Sequence, residues 1–155
     1  MATVTNSMMN NEESNKGKNN KDEALEKTQE HFEKLADYYR DRLPKHQRSW
    51  GFISALAGIS RNAVYDIKDP LGSTKIETIA RFCMALKTTA DDFEDFLAYK
   101  GYALKMYDRY DYRMYLSFAN NDYDIDKLFA ELKKIKKERE KQKKKENDSN
   151  TANAT

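Results

Sequence analysis

The sequence predicts a mainly α protein: a five-helix domain near residues 22–100, an aromatic-rich segment, and an amphipathic C-terminal helix. Three observations lead there. Apolar residues recur at three- and four-residue spacing through most of the chain. Ser, Thr and Gly stand at the ends of those runs, where helix caps belong. A final apolar stripe, from Ile125 to Ile135, runs on into lysines.

The elements follow in order. Residues 1–20 hold six asparagines and almost no large apolar side chain, so a disordered tail is expected over 1–21. From Asp22 to Leu43, Leu25, Phe32, Leu35, Ala36, Tyr39 and Leu43 share one helical face, and Pro44 ends the helix. Ser49 caps a second helix with Ile53, Leu56 and Ala57 inward. Gly58 supplies the positive φ of its C-cap. Ser60 caps a third helix with Ala63, Val64 and Ile67 inward, broken by Pro70 and Gly72. Thr74-Lys75-Ile76-Glu77 matches a capping box, and Ile76, Ile79, Phe82, Cys83 and Leu86 follow at helical spacing. Thr89 caps a fifth helix carrying Phe93, Phe96 and Leu97, with Gly101 as its stop. Residues 101–121 form a Tyr-rich connection. There Met106, Tyr110, Tyr112, Met114, Leu116 and Phe118 alternate at period two, which fits either a β-hairpin turning near Asp108–Asp111 or a helix. A basic amphipathic helix is expected over 122–146, with Leu128, Phe129 and Leu132 on its apolar face and a disordered tail at 147–155.

The chain has 155 residues, 35% of them charged, yet its net charge is only +2. Opposite charges are sorted along it: residues 45–88 carry +4, residues 89–126 carry −5 and residues 127–155 carry +5. No apolar run approaches the roughly 18 residues of a membrane span, and the start has no basic-then-apolar signal peptide. A lone cysteine, Cys83, excludes an internal disulfide and fits a reducing cytoplasm. His31, His46 and that cysteine make a poor zinc set. Asp122, Asp124 and Asp126 resemble a calcium loop but fail it, with Lys127 where Gly is needed and Lys133 where Glu is needed. No nucleophile–base pair or phosphate-binding Gly loop is present, so neither enzyme activity nor a cofactor is expected.

The strongest constellation is Ser49–Leu86, two short helices joined by a Gly-containing turn, which is the helix-turn-helix pattern. Ser54 lets the helices approach, Gly58 makes the turn, and Ile59 fills the space between them. Arg61, Asn62, Tyr65 and Asp66 are left on the outer face of the third helix, with Lys68 at its end. Arg suits guanine N7/O6 and Asn suits adenine N6/N7, and both stand at the end of the helix that meets base edges in such motifs.

SWGFISALAGISRNAVYDI, followed by TKIETIARFCMALKTTADDF, resembles the Cro and phage-repressor type (XRE family) helix-turn-helix domain over about residues 27–97. The resemblance implies major-groove reading by the helix at 60–68, with Arg61, Asn62 and Tyr65 toward bases. Trp50 stands where the family commonly has Gln, Thr74 where it has Pro, and Lys68-Asp69-Pro70 where it has Glu-x-Gly. Phosphate contacts are expected from Arg48, Ser49, Trp50, Ser60, Lys68, Ser73, Thr74 and Lys75, around helix N-termini and in basic surroundings. Trp50 fits a core-edge cover as well as a DNA-facing ring.

The expectation is sequence-specific binding of double-stranded DNA by a homodimeric transcriptional regulator. Tyr110, Tyr112, Leu128, Phe129 and Leu132 are its candidate dimer contacts. Two other readings stand beside it. One is an accessory factor at a plasmid origin or relaxosome. The other is a phage-type protein inhibitor whose C-terminal region binds a protein partner. The lysine run Lys133–Lys145 is either a solvated face or a second, nonspecific DNA contact.

Overall fold

The computed structural model describes residues 23–153; the expected tail over 1–21 lies outside them. These residues form seven α-helices and no strand: α1 (23–40), α2 (Trp50–Ala57), α3 (Arg61–Lys68), α4 (Ile76–Leu86), α5 (Ala90–Tyr99), α6 (Arg109–Ala119) and α7 (Ile125–Asn153). A 3-10 turn at Lys45–Gln47 links α1 to α2. No described helix is long and apolar enough to cross a membrane.

Local chemistry sets most of the helix ends. The hydroxyls of Ser49, Ser60 and Thr89 accept from the backbone N–H groups of Phe52, Ala63 and Asp92 at 3.1, 3.1 and 3.2 Å. Each satisfies a donor that the first helical turn leaves without a partner. Gly58 closes α2 at φ 71°. Its N–H donates to the Ala55 carbonyl while that of Ile59 donates to Ser54, the paired bonds of a Schellman stop. A side chain at Gly58 would be strained in that left-handed backbone.

Helix α4 is the hub. It packs on α2, α3, α5 and α7, and Ile79, Ala80 and every residue from Phe82 to Leu86 are buried. From α1, Phe32, Ala36 and Tyr39 close the near side, with Phe32 stacked on Tyr99 at 4.0 Å between centroids. On the far side Phe93 of α5 stacks on Phe118 of α6, also at 4.0 Å. Met114, Phe118, Ile125, Leu128 and Leu132 belong to the same hydrophobic core as Ile53, Val64 and Phe82. Residues beyond 100 are therefore part of that core and not an appended connector and helix.

Several expectations are corrected. The hairpin alternative for 102–118 gives way to α6, because the Asp108 carboxylate caps a helix by accepting from the N–H groups of Tyr110 and Asp111. The half-buried Tyr110 and the buried Met114, Ser117 and Phe118 then follow at helical spacing, while Tyr112 stays 44% exposed. Leu56 and Leu25, expected inside, are exposed, and the small Ser54 is buried in the α2 interface instead. The Thr74–Glu77 capping box does not form. Helix α4 starts after Lys75 without a side-chain cap, and Glu77 accepts from the Tyr110 hydroxyl at 2.9 Å. Helix α7 continues through residues 147–153, where a disordered tail was expected.

The candidate dimer stripe is also spent within one chain. Leu128 and Leu132 are 0% and 1% exposed, Phe129 lies under the Arg81 guanidinium, and Tyr110 is held by Glu77. Among the five candidate dimer residues only Tyr112 is exposed. Burial on this scale makes α7 integral to the fold of a single chain. Leu132→Ala should cost about 2–5 kcal/mol in urea denaturation, with a midpoint independent of protein concentration. A midpoint that rises with concentration would instead place the stripe in an interface.

The α6–α7 junction carries ion pairs. Arg139 donates to Asp108 at 2.6 Å, Arg109 to Glu138 at 2.7 Å, and Arg113 to Glu131. The Arg139 hydrogen bond holds the Asp108 carboxyl below its ordinary pKa, and Arg113 does the same for Glu131. Carboxylates held low in the folded chain add stability above their unfolded pKa and lose it as pH falls through the folded value. Thermal melts taken downward from about pH 4 should therefore lose stability more steeply in the parent protein than in Arg139→Gln. Parallel curves would mean that the Asp108 pair contributes nothing.

Candidate nucleic-acid interface

Helix α3 turns Val64 and Ile67 into the core, 3% and 1% exposed. That registration sends Arg61, Asn62, Tyr65 and Asp66 outward, all of them exposed, with Tyr65 at 69%. The three residues expected to face bases thus share the outer surface of one helix, two of them in its first turn. The Arg61 guanidinium lies against Gly51, where a Cβ would sit 2.6 Å from its Nη2. The absence of a side chain at Gly51 gives that arginine its resting place across the start of α2.

A cleft of about 270 Å³ opens between α2 and α3, lined by Ser49, Trp50, Gly51, Arg61, Val64, Tyr65 and Lys68. Its floor is the N-terminal turn of α2, whose free backbone N–H groups and dipole favour an anion. Ser49 and Ser60 each use a hydroxyl lone pair in capping and keep the O–H proton to donate. Ser73 and Lys75 are exposed beside the start of α4.

Other expected phosphate contacts are used elsewhere. Trp50 stacks on Phe82, ring centroids 6.0 Å apart, and covers the edge of the core. The Lys68 ammonium sits 3.9 Å above that indole and Arg40 lies 4.8 Å from it, so Trp50 serves as a platform for cations. Burial lowers the Lys68 pKa, against the attraction of Asp37 and Glu33. Arg48 donates its Nε to the Leu43 carbonyl at 2.7 Å, fixing the turn after α1. The Thr74 hydroxyl is buried with no hydrogen-bond partner among the described residues, and so does not face a phosphate.

A further restraint on α3, at its C-terminal end, comes from residues that sequence reasoning passed over. The Lys100 ammonium donates to the carbonyls of Asp66, Asp69 and Gly72, the last at 3.1 Å. Two of these carbonyls lie in or just past the last turn of α3, where the helix dipole favours a cation. The Tyr99 hydroxyl donates to the Lys68 carbonyl at 2.6 Å, and Tyr102 to that of Thr74 at 2.7 Å. Burial pushes the Tyr99 phenol up to about 12, keeping it a donor. Gly72 completes the closure, since a Cβ there would come within 2.4 Å of the Asp66 carbonyl oxygen. Tyr99, the last residue of α5, with Lys100 and Tyr102 just after it, thereby sets the C-terminal end of α3 and the loop leading to α4.

A second tether works from α4. Arg81, a lone charge in an apolar stretch, donates to the Ala57 carbonyl at 3.3 Å and lies 3.9 Å over Phe129. It joins the end of α2 to α7 through one guanidinium. The isolated arginine within Ile79–Leu86 was a signal available in the sequence; the Tyr99-Lys100 pair offered none, because its partners are backbone atoms about thirty residues away.

Comparison with known proteins gives no match to a family model, a curated protein or a solved structure. What the arrangement can do rests on its geometry. In Lys100→Met, the carbonyls at the end of α3 lose a charged donor. Amide exchange across residues 66–72 should accelerate by roughly tenfold, about 1.4 kcal/mol of local opening, with little change in α6. Unchanged exchange there would remove Lys100 from any role in holding α3.

Proposed function

We propose that this chain binds double-stranded DNA sequence-specifically and acts as a transcriptional regulator, with α1–α5 forming a Cro and phage-repressor type domain. The observation that carries the proposal is α3 itself. Its inner residues are locked into the core and its end is clamped by Lys100, while Arg61, Asn62 and Tyr65 stand exposed together. A rigid helix of that kind can hold hydrogen-bonding side chains at fixed positions in a major groove, where Arg and Asn discriminate base pairs.

The surroundings support the same reading. Ser49, Ser60, Ser73 and Lys75 lie at the starts of α2, α3 and α4 and offer donors to the phosphates flanking such a groove. The acidic residues of α5, Asp91 and Asp95 among them, belong to a different helix from the reading residues. Two copies related by a two-fold axis would address half-sites about 34 Å apart on one duplex face. Tyr112 remains available for such a contact.

Selection of bound duplexes from a random pool tests this directly. The parent protein should converge on one motif, and Arg61→Ala and Asn62→Ala should each lose preference at one base position, at about 1–3 kcal/mol per base pair read. Both substitutions are on exposed side chains and should leave the melting temperature almost unchanged. Absence of enrichment, or a motif indifferent to both changes, would sink the proposal.

A further inference from the structure

The C-terminal half of α7 is left over by this reading. Its apolar residues end at Ile135, and every described side chain from Lys136 to residue 149 is exposed. At about 100° per residue, Lys133, Lys134, Lys137, Lys141, Lys144 and Lys145 fall within an arc of roughly 120°. That arc is opposite the face that buries Leu128, Leu132 and Ile135. None of the six has a salt bridge among the described residues. Lys133, Lys137, Lys141 and Lys145 are spaced by four, so like charges stand one above another and repel. Glu138 and Glu140 lie only at the edges of this arc, so its centre presents a row of cations suited to a helix laid along a polyanion.

The path of α7 says where this stripe lies. Ile125 and Asp126 share a groove with Met84 and Lys87, at the C-terminal end of α4. Phe129 meets Arg81, one turn earlier in α4. Arg139 then binds Asp108, two residues from Tyr110, whose hydroxyl reaches Glu77 in the first turn of α4. As α7 advances, its neighbours step back along α4, so the two helices run in opposite directions. The lysine extension leaves the body on the side of the α4 N-terminus, where Ser73 and Lys75 are exposed.

We infer that the α7 lysine stripe is a second, sequence-independent DNA contact that grips the phosphates of duplex flanking the site read by α3. The inference rests on the DNA-binding reading above. The stripe from Lys133 to Lys145 is about 18 Å long at 1.5 Å per residue, and a duplex presents one negative charge per roughly 1.7 Å of axis. A continuous row of phosphates matches it in both sign and length. The Arg139–Asp108 and Arg109–Glu138 pairs fix the direction of the helix at its exit and remove one of its acidic residues from the stripe's surroundings.

The test compares the full chain with Lys137→Gln/Lys141→Gln/Lys144→Gln/Lys145→Gln, all exposed positions outside the core. Affinity is measured against salt on two duplexes, the selected site alone and the same site extended by about one helical turn on each side. The parent should bind the extended duplex more tightly. In the variant that gain should vanish, and the log–log salt slope should become shallower by about 0.9 for each phosphate that is no longer neutralised, up to roughly 3.6. The selected motif should be the same for both proteins. Equal slopes and equal gains would overturn the inference, as would lysine-dependent self-association with unchanged DNA affinity. If no motif is selected but duplex binding keeps its lysine-dependent slope, the α3 reading fails and takes the flanking-site part of the inference with it, while the stripe's nonspecific phosphate contact stands. If the parent binds no duplex, both fall.

Discussion

The burial of α4 on all its sides is the constraint from which the rest of the structure follows. A helix with Ile79, Ala80 and the whole of Phe82–Leu86 out of water must be surrounded, and four other helices are needed to do it. Its sequence leaves few positions for polar groups, so the neighbours' registration is set by where their own apolar stripes can meet it. Val64 and Ile67 fix the rotation of α3 in this way, and the exposed face of α3 is the residue of that requirement. Leu128 and Leu132 do the same for α7.

Charge and hydroxyl groups then trim the ends. Lys100 and Arg81 each bring a cation to carbonyls at a helix C-terminus, α3 in one case and α2 in the other. Tyr99, Tyr102 and Tyr123 reach backbone carbonyls between helices, the last binding Thr88 at 2.6 Å. A phenol suits this work because its ring adds to the packing while its hydroxyl satisfies an acceptor at the edge of the core. The tyrosine-rich composition thereby finds a use inside one chain, and at the α6–α7 junction the acidic and basic stretches exchange partners: Arg139 pairs with Asp108, while Arg109 and Arg113 pair with Glu138 and Glu131.

Local signals carried well where the physics is local. The caps at Ser49, Ser60 and Thr89, the left-handed Gly58 and the stop at Gly101 could be read because each depends on a few adjacent residues. Periodicity placed Val64, Ile67, Phe93 and Leu97 correctly. It left residues 102–118 open between hairpin and helix, because a period of two and a helical period share several positions there; the structure forms a helix capped by Asp108. It misled at Leu56, since a short helix offers too few residues to define its buried face. Thr74 and Glu77 matched a cap in pattern, but Tyr102 and Tyr110, distant in sequence, took their carbonyl and carboxylate.

The sequence by itself determined the helical class, most helix boundaries and the identity of the outward residues on α3, because propensity, capping and hydrophobic period act within a few residues. It also sorted the charges into a basic centre, an acidic stretch and a basic end. Only the tertiary structure decided how those parts are used. It placed Trp50 under Lys68 and Arg40 at the core edge, closed Lys100 over the end of α3, and consumed the candidate dimer stripe in packing α7 on α4 and α6. These outcomes depend on which side chains meet between different helices, at separations well beyond one helical turn, a matter of three-dimensional shape that no local pattern encodes. The lysines beyond Ile135 kept their exposure for the complementary reason: no apolar partner remained to draw that part of the helix inward.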